Sequence, residues 1–284
     1  MTDAAQDELK MPPCLAQQYV AGVLILAGGL STRMGSPKAL LALPSGENLL
    51  DYHVRHAQQL GVPVLIADNG QGFTTQVGAE DYPITHVKDY QPDSSHPDAK
   101  HKHSAGPLGA IFAGMQQLLL TESDLNNRPA KVSKWMLVVS CDSLVTATDI
   151  WCYLVEQGAL KPAQANPVQA NKHNLTKNLT KNLTKQALIE QALTAQDAQK
   201  QRQLSASLYC LADNERSYPL LALYQLSLAP TLQAYLDAGE RRVMRFIEPI
   251  GQSLAMPASW YALSNLNTPA QFETACQQVF GAIG

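Results

Sequence analysis

The 284-residue sequence has little excess of either charge. Its 21 Lys and Arg stand against 24 Asp and Glu, a net charge of −3. That balance sets up no strong field toward nucleic acid or an anionic membrane, so any phosphate binding has to come from local groups. A run of about 18 apolar residues is missing, and no spanning helix is expected. Met1 to Lys10 carries Asp3, Asp7 and Glu8 and has no apolar stretch behind a basic start, so no secretory signal is expected. The cysteines (Cys14, Cys141, Cys152, Cys210, Cys276) are odd in number and form no CxxC pair. No disulfide framework is implied, and the expectation is a reduced, cytoplasmic protein.

What is present is a folded chain. Apolar residues make up 45% and charged residues 16%, at a length that fills a full hydrophobic core. Val20 to Ala27 is a continuous apolar run ending in Gly28-Gly29, the pattern of a buried strand. Asn48 to Leu60 puts Leu50, Val54 and Ala57 on one helical stripe before Gly61. Val62 to Ala67 and Ile84 to Val87 are further short strands. Leu108 to Leu120 is a helix opening after Gly106-Pro107, and Trp135 to Ser140 is a strongly apolar strand. This alternation predicts a mostly parallel sheet covered on both faces.

Two segments read as insertions: polar Gln91 to Ser104, and Gly158 to Ser205, which contains Asn-Leu-Thr-Lys three times in tandem from Asn174 to Lys185. Residues 1–19 read as a disordered extension broken by Pro12-Pro13. Residues 20–284 read as one domain with the low-complexity insertion at about 158–205. Beyond it, Leu208 to Leu211 and Leu220 to Tyr224 bracket a turn at Asp213 to Arg216. Ala229 to Ala238 and Pro269 to Phe280 are helices, the second capped by Thr268 with Pro269 at its first position.

The segment Leu26-Ala27-Gly28-Gly29-Leu30-Ser31-Thr32-Arg33-Met34-Gly35-Ser36-Pro37-Lys38 delivers a strand end into a glycine-rich turn. Ligands bind at that edge of open α/β sheets. Glycines let backbone N–H groups approach phosphate, and Arg33 and Lys38 supply positive charge. It is neither a Walker loop, because Lys38 stands three residues after Gly35, nor a G-x-G-x-x-G fingerprint. A second strand end, Ser140, leads to Cys141-Asp142-Ser143. Asp142 suits Mg²⁺, which takes oxygen ligands and bridges triphosphate oxygens; the same residue also reads as a turn or helix-cap aspartate. His53 and His56 read as packing or solvent-facing residues of the first helix, and Cys141 as a small buried residue.

The glycine segment resembles the L-A-G-G-x-x-x-R-M-G-x-x-K signature of the nucleotidyltransferases. The resemblance implies a Rossmann-like three-layer α/β fold with a mostly parallel mixed sheet. It also implies that Leu26, Ala27, Gly28, Gly29 and Lys38 contact a nucleotide whose triphosphate Arg33 and Lys38 hold. Asp142 becomes the Mg²⁺ ligand; Asp89, followed by Gly106-Pro107-Leu108-Gly109, encloses the nucleotide.

Gly239-Glu240-Arg241-Arg242-Val243 and Asn265-Leu266-Asn267-Thr268-Pro269 then match the G-[DE]-R-[RK]-V and N-x-N-T-P segments of the molybdenum cofactor guanylyltransferase family. That resemblance implies GMP transfer from GTP to the phosphate of molybdopterin, with Arg241, Arg242, Asn265 and Asn267 toward the acceptor. Catalysis falls to Arg33, Lys38 and Asp142, and transient contacts with molybdopterin-synthesis proteins or apo-molybdoenzymes are implied. The alternatives are a molybdopterin cytidylyltransferase, another NTP:phosphate nucleotidyltransferase, or a cofactor-binding protein that has lost catalysis. One departure stands out: the family commonly follows its aspartate with a small residue and a proline, where this chain has Ser143-Leu144.

Overall fold

A computed structural model describes residues 13–28, 35–79, 81–92, 106–124, 134–159 and 206–281. The chain divides into two units, Met1–Tyr153 with Ser207–Gly284, and Leu154–Ala206. Of the second only residues 154–159 and 206 are described, so most of the 158–205 insertion lies outside the described residues, as do residues 93–105 of the polar segment. Every strand of the sheet belongs to the first unit.

Strands β1 (Val20–Leu26), β2 (Val64–Ala67), β3 (Ile84–His86), β4 (Trp135–Ser140), β5 (Leu208–Ala212), β6 (Ser217–Gln225) and β7 (Gly251–Ala255) form one sheet in the order β3-β2-β1-β4-β6-β5-β7. The β3-β2-β1-β4 half is parallel; β6 pairs antiparallel with both β4 and β5, and β7 runs parallel to β5. β1 and β4 are buried at every position, as expected of parallel strands covered on both faces. The C-terminal ends of β1, β2, β3, β4, β5 and β7 therefore open at one edge of the sheet.

Helices α1 (Pro13–Tyr19), α2 (Leu49–Gln58), α3 (Gly106–Asp124), α4 (Ala147–Glu156), α5 (Ala229–Asp237), α6 (Val243–Ile247) and α7 (Pro269–Phe280), with three short 3-10 turns, complete the described elements. One core face joins Leu24 and Leu26 of β1, Met136 and Val138 of β4, Leu108, Ile111, Phe112, Met115 and Leu118 of α3, Leu232 and Leu236 of α5, and Phe246 and Ile247 of α6. Alternation turns Val23 and Ile25 to the opposite face, where α2 and α4 are joined by the Thr148 hydroxyl, which donates to His56 O at 2.7 Å.

Local chemistry explains the ends. Asn48 caps α2 by accepting from Asp51 N–H at 2.8 Å, and α7 carries a full Thr268/Gln271 capping box with Pro269 in its first turn. Gly239 ends the α5 segment at φ +82°, a left-handed conformation suited to glycine.

The fold departs from the sequence-based expectation in four places. Residues 13–19, read as disordered extension, form α1, and Ala16 is buried there; residues 1–12 lie outside the described residues. α4 was not expected, yet Thr146 and Asp149 bond reciprocally across its start, the pattern of an N-terminal cap. α6 and β7 were also not expected. β7 is an edge strand of alternating exposure containing Gly251 and Gln252, too short and polar to stand out.

Candidate active site

The strand order reverses between β1 and β4: β1 is followed in sequence by β2 on one side, while β4 lies on the other. A crevice at the strand C-termini opens at such a switch point. Two of the expected elements meet here. Cys141 N–H donates to Leu26 O at 3.0 Å, joining the first residue after β4 to the last of β1. Ala27 and Gly28 continue β1 with both N–H groups on Ala67 O, at 2.9 and 3.1 Å. A Cβ on Gly28 would stand 2.9 Å from Asn69 Cβ and 3.0 Å from the Asp68 carbonyl carbon, so this strand end takes glycine because the β2 exit passes against it. Gly29 and Arg33 lie outside the described residues.

Lys38 opens a single 3-10 turn, Lys38–Leu40, anchored by buried Ala39. Its Nζ donates to Asn267 Oδ1 at 2.9 Å, and Asn267 Nδ2 donates to Asn265 Oδ1 at 2.8 Å. Burial holds the Lys38 ammonium below its ordinary pKa, and the nearby Asp142 carboxylate pulls the other way. Leu266 N–H donates to Asp142 O at 2.6 Å. Lys38, Asp142, Asn265 and Asn267, contributed by three distant stretches of chain, thus occupy one place. The two amides are not an open cradle: they bond to each other and hold the lysine.

The turn after β4 is pinned from several sides. Ser143 N–H donates back to Ser140 O at 3.1 Å, Leu144 N–H to Leu263 O at 2.9 Å, and Val145 N–H to Ser143 Oγ at 2.9 Å. The Leu144 N–H is the group a proline would lack, so the departure from the family pattern is matched by a hydrogen bond to the C-terminal segment. Asp142 does not cap α4, because that place belongs to Thr146. Cys141 is buried, and its thiol is pushed far above the ordinary value, first by burial and then by Asp142.

Two more side chains stand at this edge: Asp68, which the sequence did not single out, and His53, expected to be a packing or solvent-facing residue of the first helix and found buried. Asp68, just past β2, is buried, with Oδ1 accepting from Gly70 N–H and Oδ2 from Phe73 N–H, both at 2.9 Å. His53 of α2 is fully buried and faces Ser143 O through Nε2 at 2.8 Å. Burial pushes its pKa down to about 4. The only sequence signal for His53 was its place on the apolar stripe of α2; Asp68 had none beyond ending a strand.

Asp89 lies three residues beyond β3. Its Oδ1 is buried and meets no hydrogen-bond donor among the described residues. Burial and then Asp68 raise its carboxyl pKa. Gly106 begins α3 at φ +62°, and Tyr90 N–H donates to Gly109 O at 3.2 Å, closing the segment against the helix start.

The arginines stand apart from this group. Arg241 Nη1 donates to Leu236 O and Glu240 O, both at 2.6 Å, at the carbonyl end of α5 where a cation is favoured. Arg242 is exposed, and Arg245 pairs with Glu240. No hydrogen bond described for Arg241 or Arg242 reaches Lys38, Asp142 or Asn267.

A model of the MobA-like NTP transferase domain matches residues 23–253. The chain belongs to this family. It is a nucleotidyltransferase, and the β1 loop, Lys38 and Asp142 fall within the matched residues. Two relatives are similar over most of their length, each named a molybdenum cofactor guanylyltransferase. One, from Serratia proteamaculans (strain 568), is 27% identical over 247 residues, 86% of this chain and 88% of its own. The other, from Yersinia pestis (strain Pestoides F), is 26% identical over 257 residues, 89% of this chain and 93% of its own. Among solved structures, molybdopterin-guanine dinucleotide biosynthesis protein A from Archaeoglobus fulgidus aligns over 90% of this chain and 96% of its own, at 15% identity and a TM-score of 0.49. Among the described residues no helix is long and apolar enough to cross a membrane.

Proposed function

We propose that this NTP transferase moves GMP from GTP to the terminal phosphate of molybdopterin, forming the guanine dinucleotide cofactor and pyrophosphate. The observation that carries the reading is the meeting of Lys38 and Asp142 at the β1/β4 switch point, with Asn267 holding the lysine. A flexible ammonium and a carboxylate at one strand edge suit the two needs of a bound triphosphate: a cation on its oxygens and an anchor for a hard metal ion.

The donor set fits Mg²⁺. Asp142 offers carboxylate oxygens and is only partly buried, and no cluster of three His, Cys, Asp or Glu side chains among the described residues would hold a softer ion. Mg²⁺ bound through one carboxylate, with substrate oxygens and water for the remainder, is the usual arrangement at phosphate sites. Asp142 would hold it, and the ion supplies charge neutralisation on the triphosphate when bound.

The chain's own contribution is positioning. The acceptor phosphate oxygen attacks the α-phosphorus of GTP in line, the bond to the β-phosphate breaks, and pyrophosphate leaves. Lys38, with Arg33, holds the departing phosphates; the Leu26 to Gly29 backbone holds the nucleotide. No covalent nucleophile is needed, since this chemistry depends on alignment and on charges already in place.

Asp89 supports guanine. A buried carboxylate oxygen that meets no donor among the described residues calls for N–H groups, and guanine presents two adjacent ones, N1–H and the exocyclic amine. The acceptor roles of Asn265, Asn267, Arg241 and Arg242 rest on the family resemblance, since the two amides already bond each other and Lys38, and Arg241 bonds the carbonyl end of α5. The family membership and the names of the Serratia and Yersinia relatives favour molybdopterin as acceptor. The same reading carries the cytoplasmic expectation and transient contacts with molybdopterin-synthesis proteins or apo-molybdoenzymes.

The test is pyrophosphate release from GTP and from CTP, each with molybdopterin and Mg²⁺. Release with GTP well above CTP is expected, and loss of it in Asp142→Ala. Preference for CTP would replace the guanylyl reading with a cytidylyl one, and GTP binding without pyrophosphate would point to a cofactor-binding protein.

A further inference from the structure

His53 has no task in the mechanism above. It stands on α2, fully buried, with Nε2 2.8 Å from the carbonyl oxygen of Ser143. A carbonyl only accepts, so Nε2 carries the hydrogen and Nδ1 is left as an acceptor. No donor reaches Nδ1 among the described residues. An aliphatic side chain here would spare the unpartnered Nδ1, but it would take away the donor to Ser143 O. Among the described residues, two buried side-chain polar atoms stand without a partner: Nδ1 of His53, whose ring bonds the residue after Asp142, and Oδ1 of Asp89, beyond β3. Exceptions of this kind concentrate where function overrides packing.

The hydrogen bond lands one residue from Asp142. Around that residue the backbone is held at Cys141 N–H by β1, at Asp142 O by Leu266 N–H, and at Ser143 N–H by Ser140 O. The Ser143 carbonyl is held by His53. Tyr52, the neighbour of His53, adds a 3.3 Å bond from its hydroxyl to Leu144 O. An aspartate side chain has only two rotatable bonds, so the place of its carboxylate follows the peptide planes on either side. Groups that serve a metal need holding to within about 0.5 Å.

The geometry points to His53 as a positioning residue for Asp142: its Nε2–H···O bond to Ser143 fixes the turn from which the ion-holding carboxylate projects. This rests on Asp142 as the ion's anchor, proposed above, but not on which nucleobase or acceptor the enzyme takes.

The test compares two polar replacements in the full chain. Glutamine sets an amide nitrogen near the position of Nε2; asparagine reaches only as far as Nδ1. Mn²⁺ is the probe, its free fraction read by electron paramagnetic resonance with GTP present. His53→Asn is expected to weaken Mn²⁺ binding by about tenfold or more, the scale of lost outer-shell support, and His53→Gln to stay within about threefold of the wild type. GTP affinity without metal stays unchanged in both. Equal Mn²⁺ affinity in the two variants overturns the inference, as does a matching loss of metal-free GTP affinity. Asp142→Ala is the control. If it leaves Mn²⁺ binding intact, the anchor reading itself fails; if it alone weakens Mn²⁺ binding, only the role of His53 falls. Should His53→Asn not fold, the unmutated protein labelled with ¹⁵N-histidine gives a second readout. The Nε2–H signal of His53 shifts on adding Mg²⁺ and GTP, and does not in Asp142→Ala; a signal unmoved in the wild type overturns the inference.

Discussion

Lys38 Nζ donates to Asn267 Oδ1 at 2.9 Å, a bond between residues 229 positions apart in sequence. It joins the end of the glycine loop to the segment before the last helix, and through Leu266 N–H that segment also holds Asp142. Residues in one hydrogen-bond network couple energetically. Lys38→Ala and Asn267→Ala are therefore expected to be non-additive on nucleotide affinity, with a coupling of at least about 0.5 kcal/mol in a double-mutant cycle read by calorimetry. Strict additivity would mean that Asn267 does not act through the lysine.

His53 should leave a mark on stability against pH. Its folded-state pKa is pushed from 6.5 down to about 4 by burial, so the unfolded chain takes up the proton first as pH falls. The stability is fully present above 6.5 and is lost as pH falls toward 4. Below both values the loss amounts to on the order of 3 kcal/mol. His56, also held down by burial first, adds to the loss in the same direction. Urea unfolding from pH 7 to pH 4 should show a steeper loss in the wild type than in His53→Gln; parallel curves would contradict this.

Leu144→Pro restores the residue common in the family, yet here it should do harm. It removes the N–H that donates to Leu263 O and a side chain that is buried. A loss of about 2 kcal/mol or more is expected, together with weaker metal-dependent activity. Unchanged unfolding would show that the Leu144–Leu263 bond is dispensable.

Gly28→Ala tests the approach of β1 to the β2 exit. The added Cβ meets Asn69 Cβ and the backbone of Asp68 and Asn69 at 2.9 to 3.1 Å, and backbone does not swing aside as a flexible side chain does. Nucleotide affinity should fall by about tenfold, and stability by about 1–3 kcal/mol. An alanine variant with wild-type affinity would show that the strand end can shift without consequence.

The parallel half of the fold was legible because its strands are continuous apolar runs ended by glycine or aspartate, as with Val20–Leu26 and Trp135–Ser140. α7 was legible from Thr268-Pro269, a cap and a first-turn proline whose chemistry is local. β7 was not, because an exposed edge strand needs no apolar alternation. Lys38 and Asp142 could be singled out by residue type and strand ends. Their link through Asn267 and Leu266 could not, since it depends on the chain returning to the same sheet edge after β7. His53 was hidden for a different reason: on a helical stripe, a histidine aimed at a carbonyl looks the same as one that merely fills space.

The most direct measurement is a crystal structure of the chain with GTP and Mg²⁺. The account predicts a metal ion about 2.1 Å from an Asp142 carboxylate oxygen, with Lys38 Nζ on a phosphate oxygen of the same nucleotide. A triphosphate bound away from the β1/β4 edge, or one touching Lys38 with its metal ion held by residues other than Asp142, would contradict it.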